Sequence, residues 1–115
     1  MAVPYAGLLK LSPRQVNRIS ASFGGGFLVC RKSLCGALAG MGFVLGGLFY
    51  PDEQTHEGKK SFMDRFSKTS QKFQDKFGGI NCCDLINCSD PNYKREHCLP
   101  FVLECIDLIE HELKN

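Results

Sequence analysis

The sequence predicts an all-α fold: a compact helical bundle of about four main helices around a Gly-rich central helix, plus a short cysteine-bearing helix. Three observations carry this expectation. Apolar residues recur at spacings of three and four around Val16, Phe66 and Leu108, the mark of one-sided helices. Strand-like alternation is absent throughout. The stretch from Ser33 to Tyr50 holds no charged residue although 23% of the chain is charged, so a helix there is buried on most of its circumference. A length of 115 residues suits one helical domain over residues 1–115.

Met1 to Lys10 reads as a short apolar segment broken by Pro4 and Gly7, resembling the end of a helix. A clear start signal follows: Ser12 as N-cap, Pro13 at the first helical position and Gln15 at the capping-box position. That helix carries Val16, Ile19 and Phe23 on one side, and Gly24, Gly25 and Gly26 end it in a tight reversal. In the central helix, Gly36/Gly40 and Gly42/Gly46 stand four residues apart. They form small-residue strips against which a neighbour can pack closely, at up to about 1 kcal/mol of helix propensity per glycine.

Pro51 to Lys60 reads as a polar loop that contains His56, and helix is expected from about Ser61. Phe62, Phe66, Phe73 and Phe77 form its buried stripe, Lys68, Lys72 and Lys76 its solvated back, and Gly78-Gly79 its C-cap. Asn81 is expected to cap a short helix with Asp84 at the capping-box position, which places Cys82 and Cys83 in the first turn. Ser89 to Glu96 is turn-rich. The last helix starts near Pro100 with the stripe Phe101, Val102, Cys105, Leu108, Ile109 and Leu113, in which Cys105 reads as a buried, inert thiol. His111 reads as a surface residue.

Fourteen basic against twelve acidic residues argue against nucleic acid as a partner. The 17 uncharged residues from Leu34 to Tyr50 lie at the short edge of a membrane span, and a buried helix is favoured over membrane association. Seven cysteines are many for this length, and no signal peptide is visible. A reducing, cytoplasmic setting follows, where clustered cysteines point to redox or metal chemistry more than to structural disulfides. No CxxC pair supports zinc, and no cofactor is expected. The alternative is a zinc or iron–sulfur site ligated by Cys82, Cys83, Cys88 and Cys98, beside which His97 is the only neighbouring histidine. For redox use, Cys35 at the mouth of the central helix, just after Arg31 and Lys32, is placed where a thiolate is favoured. Cys82 stands at the start of another helix.

The segment Cys35-Gly36-Ala37-Leu38-Ala39-Gly40 carries a CGAxxG motif. Phe23-Gly24-Gly25-Gly26 precedes it, and Phe77-Gly78-Gly79-Ile80-Asn81-Cys82 and Cys98 follow in order. With these blocks the chain resembles the C-GCAxxG-C-C family of redox-active proteins over most of its length. It departs from the family pattern in lacking the further cysteine of an N-terminal helix. It also has a longer segment before Cys35 that contains Cys30; either the reading frame starts late or Cys30 substitutes for the missing sulfur. The resemblance implies thiol-based redox chemistry by a cysteine pair. Cys35 is then expected as the attacking thiolate, Cys82 as first-choice resolving partner and Cys98 as second choice, with Gly24, Gly25 and Gly26 shaping the approach and Gly36, Ala37 and Gly40 as structural motif residues. The electron donor or acceptor would be a redox partner protein or a small thiol. Self-association stays open, and a membrane-associated interaction protein is a further alternative.

Overall fold

The computed structural model describes residues 2–21, 34–53, 55–86 and 95–114. Five α-helices stand among them: α1 (Pro13–Ile19), α2 (Gly36–Phe49), α3 (His56–Phe77), α4 (Cys82–Leu85) and α5 (Leu99–Lys114). Short 3-10 helices at Val3–Tyr5 and Arg95–Cys98 complete the described elements, and none of these residues forms a strand. The all-α helical bundle expected from the sequence is the fold observed.

α1 begins as its residues dictate. The backbone N–H of Gln15 donates to Ser12 Oγ (3.0 Å), and the N–H of Ser12 donates to Gln15 Oε1 (2.8 Å), a closed capping box. The helix stops at Ile19, short of Phe23, and Ile19 is exposed rather than packed, so Val16 alone anchors it in the core. Phe23 and the triple glycine lie outside the described residues. The N-terminal segment is a 3-10 turn, not the tail of an α-helix. Tyr5 seats it in the core, with its hydroxyl donating to Glu110 Oε1 at 2.9 Å.

α2 is the centre. Leu38, Gly40, Met41, Val44 and Leu45 are buried, and most of its other residues are half-buried. Its contacts with α5 are the most extensive between any two described elements, and α3 covers another side. The Gly42/Gly46 strip faces α3: a Cβ at Gly42 would stand 3.2 Å from Phe66 Cζ, and one at Gly46 3.9 Å from Phe62 Cζ. A Cβ at Gly47 would run into the side chain of Leu9. Replacing Gly42 by leucine should therefore overpack the α2–α3 contact and cost about 1–3 kcal/mol, read as a lower urea midpoint with unchanged slope. An unchanged midpoint would show that the strip does not set the helix spacing.

α3 starts at His56, five residues before the expected Ser61. Thr55 is the reason: its Oγ1 accepts from the Gly58 N–H (3.0 Å), and Glu57 lies in the first turn where the helix dipole favours an acid. His56 is thus the first helical residue, exposed to solvent, and not part of a loop. Phe73 is fully buried while Phe62, Phe66 and Phe77 are half-buried, and Gly78 closes the helix at φ 82°. Lys68, Lys72 and Lys76 form the exposed back, and Lys76 Nζ reaches Glu104 Oε2 at 2.7 Å.

A polar clamp ties α3 to α5. Thr69 is buried, and its hydroxyl is 2.8 Å from Glu112 Oε1 and 3.0 Å from the Arg65 carbonyl. Arg65 Nε donates to Glu112 Oε2 at 2.8 Å while its guanidinium lies 3.9 Å over the Phe49 ring. Burial pushes the Glu112 pKa up, but the Arg65 and Thr69 hydrogen bonds and the Arg65 and Lys72 charges outweigh it and hold the carboxyl below its ordinary 4.5. A depressed acid contributes stability above that value and loses it as pH falls through the lowered one. Glu112→Ala should cost about 1–3 kcal/mol at neutral pH. In urea titrations the gap to the native chain should narrow as pH falls below 4.5 and through the lowered value. A gap independent of pH would contradict an ionised Glu112.

In α5, Phe101, Cys105, Leu108 and Ile109 are buried and Val102 is half-buried, as the stripe predicts, but Leu113 is exposed. No helix of the described residues is long and apolar enough to cross a membrane.

Candidate thiol site

The backbone places Cys35. Leu34 pairs with Asn81 in an isolated antiparallel bridge, and the Cys35 N–H donates to the Ile80 carbonyl at 2.8 Å. This joint fastens the entry of α2 to the entry of α4. It brings the two cysteines expected to pair, Cys35 and Cys82, to the same corner of the fold. In the register of the bridge Cys82 stands diagonally from Cys35, and diagonal neighbours in regular antiparallel pairs are about 7–8 Å apart. Cys82 is the first residue of α4 and is buried. Asn81 occupies the N-cap position, but its side chain makes no capping bond and Asp84 does not close a capping box. The helix is held by backbone bonds from Asp84 N to Asn81 O and from Ile86 N to Cys82 O.

Cys35 is the N-cap residue of α2 rather than part of its first turn. Its sulfur closes no capping hydrogen bond, yet the N–H groups of Leu38 and Ala37 lie near enough to favour its thiolate. Burial dominates, however. With 7% of its surface exposed, Cys35 has a pKa raised above its ordinary 9.0, and nearby Cys98 raises it further. The expectation of a thiolate favoured at this position is corrected accordingly: desolvation outweighs the helix terminus. Arg31 and Lys32 lie outside the described residues.

Two sulfurs from the C-terminal part of the chain share this corner. Cys98 ends the 3-10 helix and is half-buried, packed against the core cluster that contains Cys35 and Cys105. Cys105 lies in α5 with no exposed surface. Burial first, then the charges of Cys35 and Glu104, push its thiol up to about 12. It is buried, as its place in the apolar stripe predicts. Its nearness to Cys35 is not part of the sequence expectation. The available signal was its spacing of seven from Cys98, which sets both sulfurs on one side of a helix.

Cys35, Cys82, Cys98 and Cys105 stand as thiols. Cys83, half-buried in α4, is disulfide-bonded. The alternative ligand set Cys82, Cys83, Cys88 and Cys98 would need that bond reduced, since metals take thiolates. Cys88 and Cys30 lie outside the described residues, as do Gly24, Gly25 and Gly26. Among the described residues no group of three or more His, Cys, Asp or Glu side chains is placed to hold a metal ion. His97 and His111 are exposed. Of the remaining motif residues, Gly36 and Ala37 open α2 and are half-buried, while Gly40 is buried one turn further on.

No curated protein and no solved structure matches the chain. A family model does: the one described as "Putative redox-active protein (C_GCAxxG_C_C)", over residues 1–112. With Cys35 and its CGAxxG turn at the head of the central helix, and with Cys82 and Cys98 near it in the order that motif names, the protein belongs to the C-GCAxxG-C-C family.

Proposed function

We propose that the protein performs thiol–disulfide exchange, with Cys98 and Cys35 as the working pair, in a reducing, cytoplasmic setting. The observation that carries this reading is a contrast in burial. Half-buried Cys98 packs against the cluster that encloses Cys35, whose exposure is only 7%. Exchange needs an accessible thiolate first and a second sulfur close behind it. The difference in exposure supports Cys98 for the encounter and Cys35 for resolution. The Cys98 thiolate attacks one sulfur of an acceptor disulfide, on a small molecule or a protein, and expels the other as thiolate. Cys35 then loses its proton and attacks the Cys98 sulfur, expelling the second acceptor thiolate and leaving a Cys35–Cys98 disulfide. Two protein thiols are oxidised, one disulfide is reduced, and two protons pass to the leaving thiolates. The N–H groups of Ala37 and Leu38 favour the transient charge on Cys35.

Alkylation should rank the thiols Cys98 first, Cys35 second and Cys105 last, in the order of their exposure. Under a mild disulfide oxidant, peptide mapping should find Cys35 linked to Cys98. Cys35→Ser should remove that linkage, and Cys82→Ser should leave it in place. Loss of the linkage in Cys82→Ser, with a Cys35–Cys82 peptide in the native chain, would reassign the resolving pair to the bridge corner. Stoichiometric zinc or iron in anaerobically purified protein, with thiols protected until a chelator is added, would overturn the exchange reading in favour of a ligand site.

A further inference from the structure

Cys98 ends the 3-10 helix and Cys105 stands seven residues on, in the second turn of α5, which at helical rise puts them about 10 Å apart. Disulfides span Cα separations of roughly 4.4–6.8 Å, so these two sulfurs cannot bond to each other without unwinding the helix. Cys105 shares the core cluster of Cys35 and Cys98 packs against that cluster, where α5 lies along α2; each is near enough to Cys35 for their charges to interact. Exposure falls along the series: Cys98 is half-buried, Cys35 is 7% exposed and Cys105 is 0% exposed. From this placement we propose that the three sulfurs form a relay, in which Cys35 passes its disulfide from Cys98 inward to Cys105. The inference rests on the exchange reading above and adds to it an internal oxidised form.

In the relay step the Cys105 sulfur attacks Cys35 Sγ of the Cys35–Cys98 disulfide. The Cys35–Cys105 bond forms, the Cys35–Cys98 bond breaks, and the electron pair leaves on Cys98. The proton lost by Cys105 ends on Cys98. No oxidant is consumed and the number of thiols does not change. Cys105 is a weak acid in this site, which makes the transfer slow compared with the first exchange. The product restores Cys98 to the surface as a thiol while the disulfide lies in the core, out of reach of small reductants until the helices part. Cys105 is then a resolving residue and not merely a filler of the apolar stripe.

The test follows one oxidised sample in time. Wild-type protein is oxidised briefly with diamide, the oxidant is removed, and aliquots are acid-quenched, alkylated and cut after glutamate, lysine and arginine, which separates Cys35 from Cys30. Cleavage after Glu104 separates Cys98 from Cys105. The expected result is a Cys35–Cys98 peptide that declines while a Cys35–Cys105 peptide grows, with a constant thiol titre. Reduction by excess glutathione should then show a fast and a slow phase, separated by about tenfold or more. Cys105→Ala should lose the slow phase and keep the Cys35–Cys98 linkage. A Cys35–Cys98 linkage that persists unchanged, with single-phase reduction in the wild type, would overturn the relay and leave the exchange reading intact. If Cys35–Cys98 never forms, the exchange reading falls and the relay with it.

Discussion

Phe73→Ala should lower stability by about 3–5 kcal/mol, the cost of truncating a fully buried aromatic that leaves a cavity its surroundings only partly fill. Phe73 is the inner member of three rings that join α3 to α5. Its centroid lies 4.9 Å from Phe77 and 6.3 Å from Phe101, and those two stand edge to face at 4.9 Å. Such pairs add about 0.5–1.5 kcal/mol beyond burial. A domain of this size has a total of about 5–15 kcal/mol, so the variant should melt on the order of 10–20 °C lower. Phe62→Ala is the control: that ring is half-buried, packs against Tyr50 at 5.3 Å and should cost less. Equal melting points for the two variants would mean that the aromatic stripe is not graded by depth.

What could be read from the sequence was local. The Ser12 capping box, the Gly78 turn and the aromatic stripe of α3 depend on residues three or four apart, and each stands as expected. The early start of α3 was missed because Thr55 and Glu57 sit in a polar stretch with no apolar periodicity to announce a helix. The α3–α5 clamp was missed for another reason. Thr69 falls on the buried stripe, and nothing within a few residues of it shows that Glu112, 43 positions away, supplies its acceptor. The site divides in the same way. Cys35 at a helix entrance follows from the CGAxxG turn and from the uncharged run behind it. Its neighbours depend on how α5 lies along α2. The acidity of Cys35 differs in sign from the expectation because a sequence shows the helix terminus, which lowers a thiol pKa, and hides the burial that raises it.

Raising the pH from 9 toward 12 should unfold the protein, and the buried thiols are the cause. Cys105 ionises near its ordinary 9.0 in the unfolded chain and only at about 12 in the fold. Below 9 it is neutral in both states and its full contribution is present. Above 9 the unfolded chain releases the proton and the folded chain keeps it, so stability falls by about 1.4 kcal/mol per pH unit, about 4 kcal/mol in all. Cys35, raised above 9.0 by burial, acts in the same direction. So does Tyr5, raised above 10.0 by burial and by the hydrogen bond to Glu110, as its 5% exposure leads one to expect. Together these losses are comparable with the whole stability of a small domain. Helical circular dichroism should collapse between about pH 10 and 12 in reductant. Cys105→Val keeps an apolar group of similar size without the ionisable proton, so its alkaline midpoint should rise by a measurable fraction of a pH unit while its midpoint in urea at pH 7 changes little. If the native chain kept its helices to pH 12, or if the valine variant unfolded at the same pH, Cys105 would not be desolvated in solution, and the internal oxidised form would lose the burial that protects it.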